Sequence, residues 1–157
     1  MLKPVSSQTV RRKSNARFAI VASKYNDCYV GAMLRAARAT LKKAGVTSLQ
    51  VVRVPGAYEI PVVAARLART RPDLGAVICL GVILRGATTH AAHIGEAVSQ
   101  ALMDLQLQYE VPMIHEVLLL ENEDQAKARC LGKTHNRGTE AAQTALEMAA
   151  AMRQLLR

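Results

Sequence analysis

Apolar residues follow two alternating patterns along this chain. Four short unbroken runs, Arg17–Ser23, Leu49–Val54, Ala76–Leu84 and Met113–Leu120, predict strands covered on both faces. Between them, apolar positions return every three or four residues, the period of a helix with one buried stripe. Asp27–Ala44 carries Val30, Met33, Leu34, Ala37, Leu41 and Ala44 on such a stripe, and Gly45 ends it in a C-terminal capping role. Pro55-Gly56 breaks the second strand, and Tyr58–Thr70 follows as a helix with Pro61 near its first turn. Thr89–Tyr109 reads as a long helix with Ile94, Val98, Ala101, Leu102 and Leu105 in line. Asn122 starts a short helix that ends near Gly132. Gln125 three residues on resembles a capping box, and acidic residues fill the first turn. Arg137–Leu156 is a last helix, rich in Ala.

Strands that alternate with helices imply a parallel sheet with right-handed crossovers. The expected fold is therefore α/β: a three-layer α/β/α sandwich around a four-stranded parallel sheet, of flavodoxin-like type. Residues 17–157 are expected to form one domain, with Met1–Ala16 read as a flexible basic tail. The helices from Thr89 and Arg137 are expected to expose Ala and Met. Their small side chains suit subunit contacts, although an ordinary core would look the same.

Composition narrows the function classes. Half of the 157 residues are apolar, which excludes a disordered chain. The net charge is +9, and Arg11, Arg12 and Lys13 cluster in the tail. Solubility accounts for that cluster, and attraction to phosphorylated ligands or polyanions is the sharper alternative. Arg35, Arg38, Lys42 and Lys43 fit solvated helix faces. With no Trp and one Phe, the chain is poor in the aromatics that a base-stacking nucleic-acid binder uses. Cys28, Cys79 and Cys130 are scattered, with no CxxC pair, so metal-ligand spacing is absent and a reducing cytoplasm fits. Cys79, inside an apolar run, reads as a small core residue. The basic N-terminus lacks the apolar segment of a secretory signal, and no apolar run approaches the roughly 18 residues of a membrane span.

Open parallel sheets bind ligands beyond the carboxyl ends of their strands. Four segments fall there: Ser23–Asn26, Pro55–Glu59, Arg85–His90 and Leu120–Glu123. Neither GxGxxG nor GxxxxGK[ST] is present, so a dinucleotide loop and a P-loop are excluded. In Arg-Gly-Ala-Thr-Thr-His, Gly86 lets backbone approach a ligand, Thr88 or Thr89 caps a helix or donates to a phosphate, and His90 is an acid–base group with a near-neutral reference pKa. A plain N-cap with a surface histidine explains Gly86–His90 equally well. In Pro-Gly-Ala-Tyr-Glu-Ile-Pro, two prolines and a glycine fix Tyr58 and Glu59 at the sheet's edge, where a polar heterocycle could be gripped. A rigid turn with a helix-starting Glu is the bland alternative. Tyr25 alone fits packing better than a stacking platform. Arg129, Lys133 and Arg137 read as helix-terminal charges that could also reach a phosphate. His93 and His115 are ambiguous, and no set of three close ligands suggests a metal.

Taken in order, Ser23–Asn26, Val54–Pro61, Leu80–His90, Glu121–Arg129 and Asn136–Gly138 resemble the lumazine synthase family of riboflavin biosynthesis. The resemblance covers the chain from about Arg17 to Arg157. It implies a transferase that condenses 5-amino-6-(D-ribitylamino)uracil with 3,4-dihydroxy-2-butanone 4-phosphate. The products are 6,7-dimethyl-8-ribityllumazine, phosphate and water, and no metal or cofactor is needed. By the same resemblance, Tyr25 stacks on the uracil, with Asn26 beside it. Ala57, Tyr58 and Glu59 bind the ribityl chain, and Val82, Ile83 and Leu84 line the pyrimidine pocket. Ala87, Thr88, Thr89 and Arg129 hold the phosphate, and His90 shuttles protons.

Two departures from the family pattern stand out. Ala91-Ala92 follows the histidine where aromatic and acidic residues are usual. His115 stands where a Phe from the neighbouring subunit usually covers the heterocycle, so its charge is expected to make binding pH-dependent. A non-catalytic flavin- or lumazine-binding storage shell, and a polyanion-binding shell driven by the tail, are the alternatives to the enzyme. The family's site lies between subunits of a pentamer. Members with an insertion between the last two helices stay pentameric. Arg129–Gly138 has none, so the expectation is a 60-subunit icosahedral shell. Small-molecule substrates and riboflavin synthase are the candidate partners, with no membrane and no specific nucleic acid, in the cytoplasm.

Overall fold

The computed structural model describes residues 15–156. Arg11, Arg12, Lys13 and most of the expected tail lie outside the described residues. Strands β1 (Arg17–Ser23), β2 (Leu49–Val54), β3 (Leu74–Leu84) and β4 (Met113–Leu120) form one all-parallel sheet in the order β2-β1-β3-β4. The helices are α1 (Asp27–Lys43), α2 (Ile60–Thr70), α3 (His90–Tyr109), α4 (Glu123–Cys130) and α5 (Arg137–Leu155). This is the expected α/β sandwich, in the strand order of flavodoxin-like folds.

The unbroken apolar runs have a direct cause. Alternate side chains of a strand point to opposite faces, and here both faces are covered. Phe18, Ile20 and Ala22 of β1 pack under α1, α4 and α5, while Ala19 and Val21 pack under α2 and α3. All five are at most 1% exposed, so no polar residue fits the strand's middle. Truncating Ile20 to Ala would cost about 2–5 kcal/mol through lost burial and a cavity. Cys79 is also fully buried, and burial pushes its thiol up to about 12, so it acts as a small core residue.

The structure refines the sequence reading at three places. β3 begins at Leu74, two residues early, where it pairs with Arg17 across a register shift. The helix expected from Tyr58 divides into a 3-10 turn, Ala57–Glu59, and α2, with Pro61 in the first turn, where its missing N–H costs nothing. At α4, Asn122 Oδ1 accepts from the Gln125 N–H at 3.0 Å, but Gln125 Oε1 accepts from Glu121 N at 3.0 Å, one residue before the cap.

The Ala-rich stripe of α5 serves the core and not the surface. Ala141, Ala142, Ala145 and Ala149 are buried with the α1 side chains. The approach is tight: a Cβ added at Gly138 would overlap the Met33 carbonyl oxygen. Both long helices nevertheless expose methionine, as expected: Met103 of α3 and Met148 of α5 are on the surface, with Leu107 of α3, Leu155 at the end of α5 and Leu156 after it. Among the described residues no helix is long and apolar enough to cross a membrane.

β1 leads to β2 through α1 on one face. β2 leads to β3 through α2 on the other. The chain therefore changes direction between β1 and β3, and the carboxyl ends of those strands diverge into a crevice.

Candidate active site

That crevice is a cleft of about 850 Å³ at the ends of β1, β2 and β3. It brings together Tyr25, Asn26, Ala57, Tyr58, Glu59, Val82, Ile83, Leu84 and His90, all singled out in the sequence. Gly56, His93, Ile94 and Ala97 complete its lining.

The first wall follows β1. The Lys24 and Tyr25 N–H groups donate to the Pro55 carbonyl at 3.1 and 3.0 Å, which locks the first two turns together. Asn26 then takes a left-handed backbone, φ 57°, a region Asn tolerates better than most residues. Its Nδ2 donates to the Val82 carbonyl at 2.8 Å. Its own carbonyl accepts from the Tyr29 and Val30 N–H groups, starting α1. Tyr25 is left 69% exposed at the rim, a ring available to a ligand and not a packing residue.

Arg53 supports this wall and was not foreseen. Its Nε donates to the Ala22 carbonyl at 3.2 Å, and its Nη2 donates to the Ser23 carbonyl at 2.8 Å and to Asp27. An arginine set in the apolar edge strand Leu-Gln-Val-Val-Arg-Val was the available signal.

The second wall is the turn after β2. Gly56 has an extended backbone that any residue could adopt. Space is what demands glycine there: an added Cβ would lie 2.9 Å from Tyr25 Cδ2 and 3.0 Å from Glu59 Oε2. Glu59 Oε2 accepts from the Gly56 N–H at 2.9 Å, so the carboxylate is aimed by its own turn. Tyr58 is exposed beside it.

The floor and third wall come from β3 and α3. Val82 is buried, and Ile83 and Leu84 are half-buried, giving an apolar floor. His90 opens α3, and His93 lies one turn on, on the same side. His90 has no hydrogen bond to its imidazole among the described residues, consistent with the alanines that follow it. The preceding turn is looser than its motif implied. Thr89 makes no cap bond, and Thr88 Oγ1 accepts from the His90 N–H only at 3.4 Å. Gly86 has open space around it.

Five of the expected site residues lie outside the cleft lining. Ala87, Thr88 and Thr89 are exposed on the turn before α3, and Arg129 is exposed on α4. His115 lies on the other flank of α3, in a hollow of about 700 Å³ that also contains Arg85, Ser99 and Met103. There the Val117 N–H donates to His115 Nδ1 at 3.1 Å, so the proton sits on Nε2 and is shared with Ser99 Oγ at 2.7 Å. Burial pushes the His115 imidazole below its ordinary pKa, with a backbone hydrogen bond partly opposing.

Arg137 is not a helix-terminal charge of the kind expected. It opens α5, where its Nε donates to Glu116 at 2.9 Å and its Nη1 to Glu140 at 2.6 Å. Among the described residues no three His, Cys, Asp or Glu side chains gather to hold a metal.

This cleft can hold a flat polar ring and a hydroxylated chain beside a proton-transfer group. The family model for 6,7-dimethyl-8-ribityllumazine synthase matches residues 15–153. A 6,7-dimethyl-8-ribityllumazine synthase of Stenotrophomonas maltophilia (strain R551-3) is 39% identical over 148 residues, covering 93% of this chain and 95% of that protein. One from Xanthomonas oryzae pv. oryzae (strain PXO99A) is 41% identical over 139 residues, covering 87% and 90%.

Proposed function

Because the chain belongs to the 6,7-dimethyl-8-ribityllumazine synthase family of riboflavin biosynthesis, we propose the following division of labour between the cleft and the exposed residues Ala87, Thr88, Thr89 and Arg129 outside its lining. The enzyme joins 5-amino-6-(D-ribitylamino)uracil to 3,4-dihydroxy-2-butanone 4-phosphate. Tyr25 stacks on the uracil with Asn26 holding its turn, and Val82, Ile83 and Leu84 form the apolar floor. Ala57, Tyr58 and Glu59 take the ribityl chain. Ala87, Thr88, Thr89 and Arg129 take the phosphate. His90 moves protons through imine formation, phosphate elimination and ring closure. The convergence of Tyr25, Glu59 and His90 on one cleft is the observation that carries this reading. Both substrates are already reactive, so positioning accounts for much of the rate. Proton transfer by His90 would add about 10²–10⁴-fold.

His115 faces away from its own subunit's cleft, across α3. We therefore assign it to the cleft of a neighbouring subunit, in a pentamer that assembles further into a 60-subunit shell. The exposed Met103 beside it fits such a contact. The reading also places the enzyme in the cytoplasm, where free Cys28, Cys79 and Cys130 would stay reduced, with riboflavin synthase as a partner.

The test is turnover with both substrates. Wild type should form the lumazine. His90→Ala should lose about 10²-fold or more in kcat, and Arg129→Ala should raise the KM of the phosphate-bearing substrate. Normal turnover by His90→Ala would remove His90 from the mechanism. A wild type that binds lumazine but never turns over would favour a storage shell, a reading the synthase relatives do not favour.

A further inference from the structure

Glu116 and Ser23 are the only buried polar or charged side chains among the described residues, and the active-site reading uses neither. Glu116 lies in β4 and is 6% exposed. A carboxylate at such a place adds little stability. Well-packed apolar side chains commonly serve as well as a buried ion pair, because desolvation offsets the Coulomb gain. Here burial pushes the carboxyl up to about 7, although Arg137 and Arg129 pull it down. Its use must therefore be sought in what it holds.

The bonds run in one direction. Glu116 accepts from Arg137 Nε at 2.9 Å, and Glu140 braces the same guanidinium from the other side at 2.6 Å. Arg137 is the first residue of α5, and the residue before it, Asn136, is the helix cap. Asn136 Oδ1 accepts from the Gly138 N–H at 2.8 Å, while its Nδ2 donates to the Cys130 carbonyl at 2.6 Å. Cys130 is the last residue of α4, and Arg129 precedes it. Arg129 itself is exposed and forms no hydrogen bond or ion pair among the described residues. Its position is set by the backbone of α4, a helix of eight residues whose aim depends on how its ends are tied.

We propose that Glu116 is a positioning residue for the anion-binding arginine Arg129, acting through Arg137 and the Asn136 cap. The proposal rests on the reading of Arg129 as a phosphate ligand. The affected substrate is then the phosphate-bearing one, and the pyrimidine should not register the change.

Steady-state kinetics with each substrate varied in turn, together with calorimetric titration of inorganic phosphate, test this on the intact enzyme. Glu116→Ala should raise the KM of the phosphate-bearing substrate and weaken inorganic phosphate by about fivefold or more. The KM of the pyrimidine and kcat should stay within about twofold. Glu116→Gln, which keeps the shape and one accepting oxygen, should recover most of the loss, and it carries the test if the Ala variant does not fold. In that case a phosphate-specific loss smaller than about threefold is expected, and a parallel rise in both KM values overturns the proposal. Unchanged phosphate affinity in Glu116→Ala also overturns it. Arg129→Ala separates the two claims. If Arg129→Ala weakens phosphate and Glu116→Ala does not, only the positioning role fails. If Arg129→Ala binds phosphate normally, the phosphate-site reading fails and the positioning role falls with it.

Discussion

Asn26 Nδ2 donates to the Val82 carbonyl at 2.8 Å, tying the left-handed turn after β1 to the floor of the cleft at the end of β3. One side chain thus meets two demands, a positive φ and a bond across the switch point. Asn26→Ala should lose the bond, about 1 kcal/mol, and strain the backbone by roughly another 1–2 kcal/mol. Asn26→Gly should lose only the bond. Urea denaturation should rank the stabilities wild type, Gly, then Ala. Equal stability of the two variants would show that backbone strain is not what Asn relieves there.

Gly56 is required by the Tyr25 ring and not by its own φ. In Gly56→Ala the new methyl would sit 2.9 Å from Tyr25 Cδ2, so the ring must move. Stability should fall by about 1–3 kcal/mol, an overpacking cost. The KM of the pyrimidine should rise about tenfold as its stacking surface shifts. A pyrimidine KM unchanged by the substitution would remove Tyr25 from the binding of that ring.

Much of this was legible in the sequence because β1 and β3 are buried on both faces. Their apolar runs leave no second interpretation, and the order of elements then puts Tyr25, Glu59 and His90 at one end of the sheet. Legibility failed where one pattern serves two purposes. An Ala stripe suits a subunit contact or a close internal packing, and Gly138 against Met33 decided for the second. It failed again where function depends on non-local bonds. An arginine inside the apolar β2 marks Arg53 as unusual, but only the fold shows that its partners are the Ala22 and Ser23 carbonyls. Nothing near Arg137 announces a buried partner in β4. His115 was placed by resemblance, and within one chain it falls on the far flank of α3.

Glu116 should leave a signature in stability against pH. Its folded pKa of about 7 lies above the ordinary 4.5, first because of burial, with Arg137 and Arg129 pulling down and Glu140 pushing up. The folded state therefore binds the extra proton. The stability this confers is full below the unfolded value and is lost as pH rises through about 7. Glu116→Gln has no such loss. Melting temperatures measured from acid to mildly alkaline pH should move in the variant's favour as pH rises. A constant difference across that range would contradict a raised carboxyl.

Assembly is open to direct measurement. The connection between α4 and α5 spans only residues 131–136, and a Cβ at Gly132 would overlap the His135 carbonyl, so it is already tight. At 17.0 kDa per chain, a pentamer weighs about 85 kDa and a 60-subunit shell about 1 MDa. Light scattering should find the larger particle. A single species near the smaller mass would leave the pentamer as the complete assembly.

The charge of His115 was expected to make ligand binding pH-dependent around neutrality, and its bonds sharpen that expectation. The Val117 N–H donates to Nδ1, which must stay unprotonated to accept it, and Nε2–H meets Ser99. Protonating the ring would break the Val117 bond. Burial acts in the same direction, holding the folded pKa below the ordinary 6.5. Neutral His115 is thus the state of the folded chain at and above neutral pH. Its contribution is full above about 6.5 and is lost as pH falls through the lowered value. Lumazine affinity should be flat from neutral to mildly alkaline pH and should weaken on the acid side. His115→Gln, which cannot charge, should stay flat across the whole range. Affinity that changes above neutral pH in wild type, or weakens equally in acid for both proteins, would assign the pH dependence to another group.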